Sequence, residues 1–208
     1  MSQGLTSTTG GDAASVFEGM ELRTQFSPLF QLSDGAVVGA SLELCGPQGT
    51  NFDTPRALRR TATLMEQRAV LDSRKFEFAD TAAARHVADA IPLFVAVDID
   101  VYDSARTVPY GEILTLMIEP RSILRRPQSR IAQVAQARRN GTPIALEGVT
   151  ADRRTATLLT LIEPDIVLLH PDTLKSVPSS EIAHLAHILA AHTERTAAIV
   201  VAAGVDTE

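Results

Sequence analysis

Two acidic residues of the sequence follow short apolar runs, and together they could bind a cation. Asp98 comes directly after the run 93–97, and Glu147 comes directly after the run 143–146. Divalent cations prefer oxygen ligands, so carboxylates at the ends of two separate strands could hold one ion weakly. These residues predict at most one weak cation site.

Histidines and arginines form the other candidate sites. His184, His187 and His192 lie on one predicted helix, where the spacing of the first two puts them on one face. No Cys is near them, and helical histidines more often have an ordinary surface or half-buried role, which is favoured over zinc binding. Two arginine clusters could bind a phosphate or an acidic partner, although a solvated helix face with scattered ion pairs is favoured. The clusters are Arg56, Arg59, Arg60 and Arg68, followed by Arg121, Arg125, Arg126 and Arg130.

The composition is typical of a globular protein with one domain. The chain has 208 residues, of which 45% are hydrophobic and 21% are charged. Its net charge of -6 argues against general affinity for nucleic acid, whose phosphates require a basic face. Cys45 is the only cysteine, which excludes an internal disulfide.

The chain divides into a short leader and one domain. Residues 1–16 are rich in Gly and small polar residues, which bury too little apolar surface to offset the entropy of ordering, so we expect a flexible leader there. Residues 17–208 form the predicted domain. We find neither a signal segment nor an apolar run of about 18 residues, so we expect a cytoplasmic protein without membrane association.

Strand-like and helix-like segments alternate after the leader. Asp34-Gly35 between two apolar runs predicts a β-hairpin, which makes the first two strands antiparallel. The later strands alternate with helices, which predicts right-handed crossovers and a mostly parallel sheet. Periodicity alone leaves an open sheet and a closed barrel as alternatives. The predicted strands are 22–32, 36–44, 93–97, 113–118, 143–146, 166–169 and 197–202, and the predicted helices are 55–74, 81–90, 129–139, 151–162 and 179–192.

Seven short segments occur in a characteristic order and spacing, at 25–29, 38–45, 97–100, 117–120, 145–149, 168–170 and 202–206. They resemble the signature segments of the EAL domain, the cyclic di-GMP phosphodiesterase family. Gly39 and Ala40 keep the pattern before the Glu-Ala-Leu signature. The resemblance implies an α/β, TIM-barrel-like EAL fold whose first strand is antiparallel. The final family strand and helix have no counterpart, and the crossover around 107–111 is short. We therefore expect a barrel that is incomplete or distorted at the last strand and helix, with an exposed strand edge.

The resemblance also implies that most chemical positions of the family are changed. Asp98 stands at a metal-binding Asn and Glu147 at the first of two Asp residues, so these two are the remaining candidates for metal ligands. Glu43 could partly substitute for the acid lost two residues earlier. The other positions carry Ser41 at the metal-binding Glu, Cys45 at the substrate-contacting Arg, Met117 at a metal-ligand Glu, Gly148 at the second Asp, Leu168 at the water-orienting Lys and Ala203 at a functional Glu.

These changes favour a domain without catalytic activity. We expect no phosphodiesterase activity and no cofactor, and a regulatory or protein-interaction role in bacterial signalling with a protein partner or a second copy of the chain. The alternative is a sensor that binds cyclic di-GMP or another nucleotide without cleaving it. An enzyme of another kind that uses the mouth of the barrel stays open, because nothing in the sequence names its substrate.

Overall fold

Seven β-strands close into a barrel in the computed structural model, which describes residues 16–86, 91–102, 114–170, 175 and 177–203. Strand β1 (Arg23–Gln31) is antiparallel to both of its neighbours, β2 (Val37–Cys45) and β7 (Ile199–Ala203). The strands from β2 to β7 are parallel to one another. The intervening strands are β3 (Leu93–Ala96), β4 (Leu114–Ile118), β5 (Ile144–Glu147) and β6 (Ile166–Leu169).

The predicted hairpin between β1 and β2 is confirmed. Gly35 has φ 73°, in the left-handed region that glycine adopts without steric cost. The Asp34 carboxylate accepts a hydrogen bond from the backbone N–H of Ala36 at 3.0 Å, which stabilises the turn. The turn therefore sets the antiparallel register in which Ser27 lies opposite Ser41.

Helices follow most of the parallel strands. Thr54 caps the first helix by accepting a hydrogen bond from the N–H of Ala57 at 3.3 Å, as its position before Pro55 predicts. The described helices are α1 (Pro55–Leu64), α2 (Arg68–His86), α3 (Pro120–Arg125), α4 (Pro127–Arg139), α5 (Arg153–Ile162) and α6 (Ser179–Thr196).

The predicted helix 55–74 is wrong in one respect, because the chain breaks it into α1 and the start of α2. Glu66 has φ 56°, and this left-handed residue turns the backbone between the two helices. The helix predicted at 81–90 is not separate, because residues 81–86 are the last part of α2; residues 87–90 lie outside the described residues.

The hydrophobic core has two layers. Alternate strand residues point to opposite faces of a sheet, so Ile144 and Leu146 of β5 pack outwards against helix residues in the larger layer. Ala145 between them belongs to a smaller cluster built from strand residues alone, which fills the interior of the barrel. That cluster contains Leu29, Phe94, Ala96, Met117, Ala145, Ile166, Leu168 and Val201.

The α/β barrel with an antiparallel first strand is confirmed, but the predicted open edge is wrong. Three residues of β1, Leu29 to Gln31, pair with Val201 to Ala203 of β7 and close the sheet. The seven strands of the described residues thus pair with one another around the barrel, and no strand edge is left open. No partner is needed to cover an edge of this sheet. The predicted leader 1–16, apart from its last residue, and the short crossover at 107–111 lie outside the described residues.

Candidate functional site

The carboxyl ends of the parallel strands meet at one mouth of the barrel, where ligands bind in folds of this architecture. Polar residues there line two cavities, of about 780 Å³ and about 500 Å³. Glu119, Arg121 and Glu147 line both cavities, which makes them two lobes of one mouth. Among the described helices none is both long and apolar enough to cross a membrane.

Several of the positions that the resemblance aligned with catalytic residues belong to the packed interior below this mouth. Met117 and Leu168 are almost fully buried and pack in the inner cluster, with Ala203 against its edge, and Met117 also forms part of the lining of the smaller cavity. Ser41 is buried as well and lies opposite Ser27 of β1. None of these side chains carries a charge to the mouth.

Two other aligned positions, Cys45 and Gly148, lie at strand ends. The Cys45 thiol donates a hydrogen bond to Oε1 of Gln25 at 3.4 Å, and burial raises the pKa of that thiol. Gly148 follows β5, lines the larger cavity and has φ 68°. A β-carbon at this residue would strain the backbone, so its left-handed conformation explains the glycine.

Asp98 and Glu147, the two predicted metal ligands, both line the smaller cavity. The structure thus places them at one mouth, as the sequence predicts. The carboxylate of Asp98 is already paired, with Oδ1 3.2 Å from Nη2 of Arg130. The same guanidinium also pairs with Asp100, so Arg130 holds both acids of the segment after β3.

Glu147 is paired with a histidine that the sequence did not single out. Its Oε2 lies 3.5 Å from Nε2 of His170, the residue that follows β6. Burial would raise the pKa of Glu147, but the hydrogen bond from His170 and the charges of Arg59 and Lys75 outweigh it and lower the pKa. The hydrogen bond to Glu147 raises the pKa of His170 against the opposing effect of burial.

The carboxylate of Glu43 is paired with two cations. Its Oε1 lies 3.2 Å from Nη2 of Arg59, and its Oε2 lies 3.2 Å from Nζ of Lys75. Arg59 also reaches across the mouth, where its Nη1 is 3.9 Å from Oε1 of Glu119. Glu119 is paired in addition with Arg121. Glu43 therefore does not stand free as a substitute metal ligand.

Asp72 forms the base of this charged cluster. It is buried and accepts a hydrogen bond from Nε of Arg68 at 3.1 Å and another from the backbone N–H of Asp98 at 3.0 Å. Burial raises the pKa of Asp72 in spite of these interactions and of the nearby Lys75. Burial also lowers the pKa of Lys75, against the attraction of Glu43. Helix α2 thus contributes one acidic residue, Asp72, and one basic residue, Lys75, to the cluster.

The charged residues of the mouth do not fit a divalent metal centre. Metal ligands must offer free lone pairs in a shared geometry. Here five carboxylates each lie within 4 Å of an Arg, Lys or His side chain, namely those of Glu43, Glu119, Glu147, Asp72 and Asp98. In the part of the chain that the structure describes, no three His, Cys, Asp or Glu side chains converge as a metal site.

Sequence reasoning missed Asp72, Lys75 and His170. A signal for the first two exists in α2, where the buried residues Leu71, Asp72, Lys75 and Phe76 follow helical spacing. Charged residues on the apolar face of a helix are almost never fully buried unless they are paired, so they mark a polar cluster. His170 had a weaker signal, since it comes directly after the predicted strand 166–169.

The histidines and arginines weighed from the sequence do not form one site. His184 and His187 are exposed, whereas His192 is buried with Nε2 3.5 Å from the carbonyl oxygen of Pro164. The two arginine clusters are divided between roles. Arg59 and Arg121 line the mouth, and Arg68 pairs with an acid at its base, which agrees with a face that carries scattered ion pairs. Arg130 is buried, so a solvated face is wrong for that residue.

The fold and the mouth define the chain as an α/β barrel with an inverted first strand and a polar site at the strand ends. Solved EAL domains share this fold. Klebsiella pneumoniae BlrP1, solved as a complex with calcium and cyclic di-GMP, matches with a TM-score of 0.72 and 13% identity over 91% of this chain and 50% of that chain. The chain thus spans about half the length of BlrP1.

Two further structures match over more of their own length. The PaMucR phosphodiesterase, in complex with c-di-GMP, has a TM-score of 0.68 and 15% identity over 90% of this chain and 86% of that chain. The Xanthomonas citri FimX EAL domain, also in complex with c-diGMP, has a TM-score of 0.65 and 14% identity over 88% and 85%. The predicted resemblance to the EAL domain is therefore confirmed as a shared fold. No protein-family model matches the sequence, and the search of curated proteins gives no match.

Proposed function

We propose that this chain is a catalytically inactive EAL-like domain that acts as a regulatory or protein-interaction module in bacterial cyclic di-GMP signalling. The observation that carries the proposal is that five acids around the mouth each lie within 4 Å of an Arg, Lys or His side chain of the protein itself: Glu43, Glu119, Glu147, Asp72 and Asp98. Two-metal cleavage of a phosphodiester requires carboxylates that are free to bind the ions. The mouth has no such set among the described residues.

The inner layer of the barrel also supports the absence of catalysis. Leu168 is 1% exposed at the position that the resemblance assigns to a water-orienting lysine, and an aliphatic side chain cannot stabilise developing negative charge. Met117 likewise provides no carboxylate. The function of a protein resides in sites that its fold carries, and here the two positions inside the barrel are apolar. We therefore expect this domain to act through its shape and surface.

A hydrolysis assay tests the proposal directly. The purified chain is incubated with cyclic di-GMP and Mg²⁺ or Mn²⁺, with the PaMucR phosphodiesterase as the positive control. We expect no linear dinucleotide after the control has consumed its substrate. Linear product that is abolished by Glu147→Gln would refute the inactive role.

The interaction role is tested separately by the size of the chain in solution. Multi-angle light scattering over a range of concentrations should reveal a dimer, and a pull-down should otherwise retain a specific bacterial partner. A chain that is strictly monomeric and that retains no partner would count against this role while leaving the hydrolysis result untouched.

A second candidate function, a non-hydrolysing nucleotide sensor, is supported by the lining of the larger cavity. Arg121, Arg153 and Arg154 are exposed there, and Arg59 and His170 line the same space. Arginine binds phosphate oxygens bidentately, so this lining suits an anionic ligand such as cyclic di-GMP. The cavity of about 780 Å³ also lies within the range of small-molecule sites.

Calorimetry with cyclic di-GMP distinguishes the sensor from the scaffold. A sensor binds at micromolar concentrations, and Arg121→Ala or Arg154→Ala weakens binding at least tenfold because each removes a charge from the cavity. Arg60→Ala is the matched control, since Arg60 is exposed on α1 and does not line the cavity. If the wild-type chain gives no heat of binding, or if all three variants lose affinity equally, the scaffold role is favoured.

A further inference from the structure

Two cations from different helices meet at one carboxylate beside the mouth, and one of them is buried while the other is partly exposed. Lys75 of α2 is 3% exposed, and its ammonium group lies against one oxygen of Glu43. Arg59 of α1 lies against the other oxygen of the same carboxylate and extends towards Glu119. One glutamate of β2 is thus enclosed by cations from two different helices.

The influence of these cations extends beyond Glu43. Arg59 is also attracted by Glu147 and Asp72, and Lys75 acts on the same two carboxylates. Their positive charges therefore lie among acids contributed by β2, β5, α2 and the segment after β4. A divalent cation that bridges acids from several strands would have the same electrostatic task.

We propose that Lys75 and Arg59 are built-in counter-ions that take the place of divalent cations at the mouth, so that this domain folds and keeps its site without metal. The inference deepens the proposed inactive function and rests on it for the role of the site. It goes beyond the loss of activity because it assigns Lys75 and Arg59 the electrostatic role of the divalent cations.

The chemistry of the two side chains explains why they exclude a metal ion. An ammonium group is a compact charge with three N–H donors, and it uses the lone pairs of Glu43 that an ion would need. Arg59 donates its hydrogen bond to the second oxygen, at 3.2 Å. Both side chains also repel an incoming divalent cation at short range, and the burial of Lys75 strengthens that repulsion.

Thermal unfolding in EDTA and in millimolar Mn²⁺ tests the inference. The wild-type chain should have the same Tm in both solutions. Lys75→Met removes the ammonium group with a side chain of similar length, so we expect a Tm several degrees lower in EDTA and partial recovery in Mn²⁺. Calorimetry should show Mn²⁺ binding by Lys75→Met at least tenfold tighter than by the wild type.

A double variant separates a counter-ion from a residue that only packs. Lys75→Met with Glu43→Gln removes both charges, so its Tm should fall by less than the sum of the two single changes and should not respond to Mn²⁺. Arg60→Met, next to Arg59 but exposed, is the control and should change neither quantity.

The inference is overturned if Mn²⁺ stabilises the wild-type chain, if Lys75→Met gains no response to Mn²⁺, or if that variant stays unfolded in both solutions. Each of these results leaves the hydrolysis assay unaffected. Linear product from the wild-type chain would instead refute the inactive function, so the two failures can be told apart.

Discussion

Replacing His170 by Gln should weaken the fold in a manner that depends on pH. Nε2 of His170 lies 3.5 Å from Oε2 of Glu147, and Glu147 is buried at the mouth. Gln keeps an N–H donor for the carboxylate but cannot become positively charged. The change therefore isolates the charge of the imidazolium from its hydrogen bond.

The size of the effect follows from the geometry. At this separation the Coulomb attraction is about 1 kcal/mol at the dielectric constant of water and about 5 kcal/mol at an effective value of 20. The His170 side chain is 42% exposed, so solvent screens it and the lower value applies, about 1 kcal/mol. In a domain of this size, that loss corresponds to about 2–4 °C in Tm.

The pH window follows from the two pKa shifts. The folded-state pKa of His170 is raised above 6.5, so its contribution is fully present below pH 6.5 and is lost as the pH rises through the raised value. The folded-state pKa of Glu147 is lowered below 4.5, so its contribution is present above pH 4.5 and is lost as the pH falls through the lowered value. The pair is therefore fully effective between pH 4.5 and 6.5.

Urea unfolding of the wild type and of His170→Gln at a series of pH values measures this difference. The free energy of unfolding should differ by about 1 kcal/mol between pH 5 and 6 and by much less at pH 9. His184→Gln, an exposed histidine of α6, is the control and should leave stability unchanged at every pH. A difference for His170→Gln that stays constant from pH 5 to 9 would refute the charged pair.

Three further substitutions test the packing of the barrel and one helix cap. Gly39→Ala should destabilise the fold by about 2 kcal/mol or more in urea, because the new Cβ would lie 2.5 Å from a ring carbon of Phe94, whereas Gly19→Ala meets nothing within 4 Å and should be neutral. Leu168→Lys should lower the free energy of unfolding by about 3 kcal/mol or more, since it places a charge among apolar side chains. The same variant should not hydrolyse cyclic di-GMP. A stable variant that cleaves cyclic di-GMP would contradict the proposed site. Asp152→Ala should cost about 1 kcal/mol by removing the acceptor for two backbone N–H groups at the start of α5, and an unchanged Tm would argue against that cap.

Local signals in the sequence predicted most of the elements. The Asp-Gly turn predicted the hairpin, and Thr54 before Pro55 predicted the start of α1. Where such signals were absent, the prediction failed. The break at Glu66 has no Gly or Pro to mark it, because a single non-glycine residue adopts the left-handed conformation there.

Part of the candidate site was predictable from the acids that directly follow the strands predicted at 93–97 and 143–146. Asp98 and Glu147 are these acids, and both line one cavity. Lys75 gives no such signal, because it comes from the middle of α2 and reaches Glu43 across 32 positions of sequence. No local pattern encodes which carboxylate a helix residue will meet after the chain has folded.

The amino-acid sequence by itself determined the order of strands and helices, the inverted first strand and the apolar side chains at positions such as Met117 and Leu168. These properties depend on neighbours in the chain, through turn geometry and side-chain periodicity. Only the tertiary structure decided that β1 closes the barrel against β7 and that Arg59 and Lys75 enclose Glu43. Both depend on distances between remote segments, and those distances are fixed only when the sheet curves and the helices pack on it.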